Sequence, residues 1–291
     1  MQADPSQLSL AAMAAAYVLI VIAGIVVGLV ILHRLAHRPV DWRVRAAALI
    51  ARAWPAPHAG LLVAMLVALQ LVLQLLFQPL MRLCAVPSAH HKTAWLIAHG
   101  VLFHGAILVG VFALARRRGW SLPSALRSFP ALFLRGIGLG TTFYLAVMPL
   151  VMFITVAYYA MLQHWEYPTP MQDIATFLAG VANPWIMAYA IVLAVLVAPA
   201  AEELLFRGIF LPLLTRRLGA GWAILITSAG FALFHAHVPS LAALTLLAMS
   251  FSLAYLYSGS IIVPIVMHGL FNGVNLALLW LARPGVISGS Y

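Results

Sequence analysis

Two glutamates stand side by side in "AEELLFRG", residues 201–208, and Arg207 follows the second by four positions. Downstream, "FALFHAH" carries His235 and His237, and "MHGLFNGVN" carries His268, Asn272 and Asn275. Carboxylate, imidazole and carboxamide are the groups that take a proton from water and hold developing negative charge. The spacing gives them separate jobs. Glu203 and Arg207, four apart on a helix with the acid first, form an ion pair. Glu202 points about 100° away from Glu203 around the helix axis and faces something else. His268 and Asn272, again four apart, share one face, with Asn275 a turn further on.

The elements that hold these groups are membrane helices. The chain of 291 residues is 65% hydrophobic and only 8% charged, where a soluble domain carries about 25% charged residues. Apolar stretches of about 20 residues recur along nearly its whole length, too long and continuous for barrel strands. The expected fold is all-α: a polytopic integral membrane protein with about eight transmembrane helices in one bundle. They are expected at about residues 8–32, 60–81, 94–115, 136–162, 184–214, 220–237, 241–257 and 261–282, with a short interfacial helix in "VRAAALIARAWPAP" whose Arg45 and Arg52 lie on the wet side. The division is residues 1–183, four helices with the interfacial segment; 184–282, a catalytic helical core; and 283–291, a short tail.

A formal charge of +10 raises the question of nucleic acid, but the arginines sit in short loops between apolar runs, so no nucleic-acid partner is expected. With the N-terminus outside, the inner loops hold most of the arginines. The longest outer loop, "QHWEYPTPMQDIATFLAGVANP", has Glu166 and Asp173 and no base. Both termini are therefore expected outside. The single Cys84 excludes an internal disulfide and offers no metal-ligand spacing.

Of six acidic residues, only Glu202 and Glu203 fall within an apolar run. An ionised carboxylate there is expensive and marks a site or a buried pair. The break at "TRRLGAG" makes helices five and six antiparallel neighbours, and Glu202 and His235 both lie about 25 Å from that turn. His268 lies roughly 12 Å in from the "SGS" turn at 258–260. Gly269 and Gly273 form a G-x-x-x-G pattern that permits close helix contact. His99 and His104, five apart on helix three, do not share a face well and read as packing residues with local hydrogen bonds. His237, beside Pro239, reads as interfacial.

At these residues the sequence resembles the type II CAAX-protease family, the CPBP or Abi group of intramembrane proteases. "EELLFRG", "FALFH" and "HGLFN" carry the resemblance, in order and each on a membrane helix, over about residues 184–282. The resemblance implies hydrolysis of a peptide bond near the cytoplasmic face. It implies Glu202 as the base that activates water, His235 as its partner in orienting that water, and His268 and Asn272 as oxyanion donors. Glu203 and Arg207 are supporting residues. No cofactor is favoured, because there is no H-E-x-x-H and Asn serves better as a donor than as a zinc ligand. In the zinc alternative Glu202, His235 and His268 are ligands and Glu203 is the base. The expected partners are a membrane-associated peptide or protein substrate and the lipid bilayer, with a larger membrane complex as a further option. The predominance of Arg over Lys and the wealth of Ala point to a GC-rich bacterium and its inner membrane. A non-catalytic scaffold, immunity factor or complex subunit on the same fold is the alternative. A transporter would instead show repeated halves.

Overall fold

The computed structural model describes residues 5–117 and 122–281. Arg118 and the expected tail at 283–291 lie outside the described residues. The chain is all-α, with no strand among the described residues. Helix α1 spans Pro5–His37, α2 Trp42–Ile50, α3 Ala56–Leu83, α4 His91–Arg117, α5 Leu122–His164 and α6 Asp173–Ala179. Then follow α7 Pro184–Val192, α8 Ala198–Leu205, α9 Leu211–Leu218, α10 Ala220–Phe234, α11 Leu241–Ser258 and α12 Ile262–Leu281.

Seven described segments are long and apolar enough to cross a membrane, which makes this a multi-pass membrane protein. One of them, Pro184–Leu218, runs through α7, α8 and α9. The most apolar window of α1 is only 6% buried by protein, against 50% for α11. Leucines and valines such as Leu19, Leu75, Val109 and Val156 project outward, so lipid must cover what the protein leaves bare. The sixth expected span differs. Expected over 220–237, it ends at Phe234 and holds 15 residues, about 22 Å of helix against a hydrocarbon core of about 30 Å. The cause is local. Ala236 has φ +48°, and Pro239 opens a 3₁₀ turn at Val238–Ser240, so the helix cannot continue.

The interfacial helix also forms, over Trp42–Ile50, with Asp41 as N-cap accepting from the N–H groups of Arg43 and Val44. Arg52 lies beyond its end and is exposed. It donates to the Gly259 carbonyl at 2.6 Å and to the Tyr255 hydroxyl at 3.3 Å, pinning this segment to the end of α11.

Between α7 and α9 the helix departs twice from α geometry. Leu193–Val197 and Phe206–Phe210 are π turns, bonded i to i+5, on either side of α8. Pro199 and Pro212 come just after them, each lacking an N–H to return to the turn before it. Gly219, with φ +80°, then reverses the chain between α9 and α10 in a conformation open to glycine. Three apolar cores adjoin α11, two of them large. One gathers Leu62, Phe103, Ile107, Phe206 and Phe231 from α3, α4, α10 and the second π turn. The other gathers Tyr144, Met148, Phe251, Val263 and Met267 from α5, α11 and α12.

Candidate active site

All seven buried polar or charged residues among those described lie between Glu203 and His268, so burial and polarity coincide in the C-terminal helices. The charged pair among them, Glu203 and Arg207, is fully buried, both at 0% exposure. Arg207 Nη1 donates to Glu203 Oε1 at 2.8 Å, and Nη2 donates to the Ala248 carbonyl at 2.8 Å. Nε reaches Ser252 Oγ at 3.4 Å. The guanidinium carbon lies 5.0 Å from the Phe231 ring centre and 5.2 Å from that of Phe251. Guanidinium suits this slot because its fork serves three partners while its faces rest on rings. The ion pair expected from the i, i+4 spacing is present.

Glu203 also fixes His268. Its Oε1 accepts from His268 Nδ1 at 3.0 Å, while the imidazole stacks on Phe251 with ring centres 5.3 Å apart. With Nδ1 donating, Nε2 holds the lone pair if the ring is neutral and a second N–H if it is imidazolium, and that atom lies 3.9 Å from Glu202 Oε2. Asn272, one turn along α12, donates from Nδ2 to the Ala194 carbonyl at 2.9 Å. Ala194 belongs to the first π turn, and Pro199, five residues on, has no N–H to give it. The carboxamide thus answers an acceptor that the π turn leaves open.

Close approach makes this contact. A Cβ added to Gly269 would sit 2.6 Å from the Val195 carbonyl oxygen, whereas one on Gly273 would meet only the Val195 side chain at 3.6 Å. Gly269→Ala is expected to cost about 1–3 kcal/mol by forcing α12 off the π turn, and Gly273→Ala to be near neutral. Thermal unfolding of the two variants in detergent checks the contrast, and equal midpoints would remove this account of the glycine.

Glu202 faces the other way. Its side chain, 15% exposed, lines a cavity of about 180 Å³ together with His99, His104, His235, Phe206 and Phe234. His235, at the C-terminal end of α10, donates from Nδ1 to the Phe231 carbonyl at 2.8 Å, one of the carbonyls left open at a helix end. His104 Nε2 lies 3.7 Å from Glu202 Oε1. His99 bonds to Gln70 Oε1 at 2.9 Å and meets His104 edge to face.

The structure therefore brings Glu202 and His235 to one cavity, with Glu203, Arg207 and His268 directly behind. Asn272 is beside the π turn, and neither it nor His268 is in the cavity lining. His237 stays apart, bonded to the Pro170 carbonyl and Ser240. Sequence reasoning missed His99 and His104. They lie outside the three motifs, and their five-residue spacing suggested two different faces. The available signal was that each is an ionisable residue inside an apolar helix. Among the described residues no group of three or more His, Cys, Asp and Glu side chains is gathered closely enough to hold a metal ion.

Residues 182–274 match the family model described as type II CAAX prenyl endopeptidase Rce1-like. No match was found among curated proteins or among solved structures. The matched segment runs from just before α7 into α12 and takes in all three motifs, so this multi-pass membrane protein carries an Rce1-like domain over residues 182–274.

Proposed function

We propose that this protein is a metal-free intramembrane endopeptidase that hydrolyses a peptide bond near the cytoplasmic face, with Glu202 as the base. The observation that carries the proposal is the division of labour between adjacent carboxylates. Glu203 is sealed behind Arg207 and His268, while Glu202 opens on the cavity. Water in the cavity gives a proton to the Glu202 carboxylate as its oxygen bonds to the substrate carbonyl carbon. The carbonyl π pair moves to oxygen. His268 can donate to that oxyanion from Nε2 only as imidazolium, and Glu203 at its Nδ1 balances the charge. Asn272 uses one N–H on Ala194 and has a second for the oxyanion. When the C–N bond breaks, Glu202 returns its proton to the departing amine. His235 keeps the water and the amine within hydrogen-bonding range. The Glu202 and Glu203 anions, Arg207 and the His268 imidazolium sum to zero, which limits the cost of holding charge inside the membrane. The substrate class is a membrane-associated peptide or protein in the lipid bilayer.

The test is mass spectrometry of membrane peptides from cells carrying the wild-type protein or His235→Ala at equal abundance. A set of cleaved termini should disappear with the variant, and indistinguishable peptide sets would sink the protease reading. The purified protein should keep its activity in a strong chelator. Loss on chelation with return on zinc would overturn the metal-free mechanism.

A further inference from the structure

We infer that His104, on α4 and outside the matched segment, is a further catalytic residue: with Glu202 it holds the water that attacks the substrate. The inference rests on the protease reading and assigns a group that neither the motifs nor the family match covers.

One hydrogen bond and one distance carry it. His104 Nδ1 lies 3.2 Å from the Gly100 carbonyl oxygen. A carbonyl can only accept, so Nδ1 holds the proton and Nε2 of the neutral ring holds the lone pair. That Nε2 is 3.7 Å from Glu202 Oε1. With the ring neutral, two acceptors face each other at a separation too long for a direct hydrogen bond and short enough for one water to bridge, at about 2.8 Å from each. A water there gives one hydrogen to Oε1 and the other to Nε2. Both its hydrogens point away from the substrate and its oxygen lone pairs are free to attack. Glu202 takes the hydrogen that is transferred, and His104 fixes the direction of the one that stays. The cavity of about 180 Å³ has room for that water and several more.

The support behind the ring fits this role. His99 meets His104 edge to face with ring centres 6.0 Å apart, and is itself held by Gln70 on α3. Phe103 meets His104 edge to face at 5.9 Å. The imidazole is thus fixed in tautomer by its own helix and in tilt by its neighbours, the kind of backing that an orienting group requires. On the opposite side of the carboxylate, Oε2 faces His268, so each oxygen of Glu202 has its own imidazole and the two ends of the base are inequivalent.

The experiment compares wild type, His104→Phe and His104→Gln in cleavage of one peptide substrate by purified protein, alongside ring ¹⁵N spectra of histidine-labelled protein. His104→Phe keeps a planar ring and removes the acceptor. It should lower kcat about 100-fold, the lower end of what proton-handling groups contribute, with KM within about twofold. His104→Gln restores an acceptor oxygen and should recover kcat to within about tenfold of wild type. The spectra should show His104 as the Nδ1–H tautomer, with an Nε2 resonance that moves in Glu202→Gln. A kcat for His104→Phe within about threefold of wild type would overturn the assignment. So would an Nε2–H tautomer or a doubly protonated ring in the resting protein. Wild-type protein that cleaves nothing would remove the protease reading and a catalytic His104 with it. The ring spectra separate that failure from one in which cleavage occurs but position 104 shares no water with position 202.

Discussion

Replacing Glu202 with Gln is expected to reduce peptide cleavage by about 10³-fold or more while leaving the fold intact. The side chain keeps its shape and size, and its amide remains polar enough for a cavity wall that already contains three imidazoles. What it loses is the ability to accept a proton. General-base catalysis contributes about 10²–10⁴-fold, and here the same group returns the proton to the amine, so both halves of the reaction suffer. His268 Nε2 lies 3.9 Å from Glu202 Oε2, too far for a direct hydrogen bond, so the thermal midpoint should stay within a degree or two of wild type. Turnover with purified protein and thermal unfolding in the same detergent check both halves. A Glu202→Gln protein that cleaves at the wild-type rate would remove Glu202 as the base.

Arg207→Met is expected to have the largest effect on stability. Its guanidinium is the positive partner of a fully buried carboxylate and also caps Ala248 and Ser252. Breaking a buried pair from one side costs about 3–5 kcal/mol, because the remaining charge is left uncompensated. Arg207→Lys should recover little, since an ammonium cannot form the three-way fork or lie flat between Phe231 and Phe251. Combining Arg207→Met with Glu203→Gln removes both charges and should recover a large part of the loss. Unfolding midpoints of the single and double variants measure this. A double variant as unstable as Arg207→Met would show that the charge on Glu203 is not what the arginine answers. Activity separates the two positions further: the double variant should fold and still cleave poorly, because His268 no longer has an anion at Nδ1.

The parts of this architecture that depend on composition and helical spacing were readable in the sequence. Apolar runs placed the long helices, and the i, i+4 rule placed Arg207 on Glu203. The antiparallel turn at Gly219 put Glu202 and His235 at one level. What escaped depends on tertiary placement or on a departure from regular helix. His104 reaches Glu202 because α4 packs along α8, and no local pattern in "AHGVLFHG" records that partner. The π turns have no periodic signature, so a continuous α-helix was expected across 184–214. The end of α10 near Pro239 was signalled, but the stop falls at Phe234, before the positive φ of Ala236, a conformation that no residue type there announces.

The paired π turns have a consequence for how this chain tolerates change in length. Each holds one residue more than an α-helix would need to cover the same turn, and that residue rotates everything beyond it by about 100°. The eight residues of α8 are therefore set at an angle of their own between α7 and α9. A chain one residue shorter within Leu193–Val197 would be as apolar and as helical, and would insert as readily. Its glutamates would face different neighbours, with Glu203 turned off the Phe231–Phe251 slot. A segment that looks like an interchangeable stretch of membrane filler is in this sense a counted length, as intolerant of indels as an active-site loop.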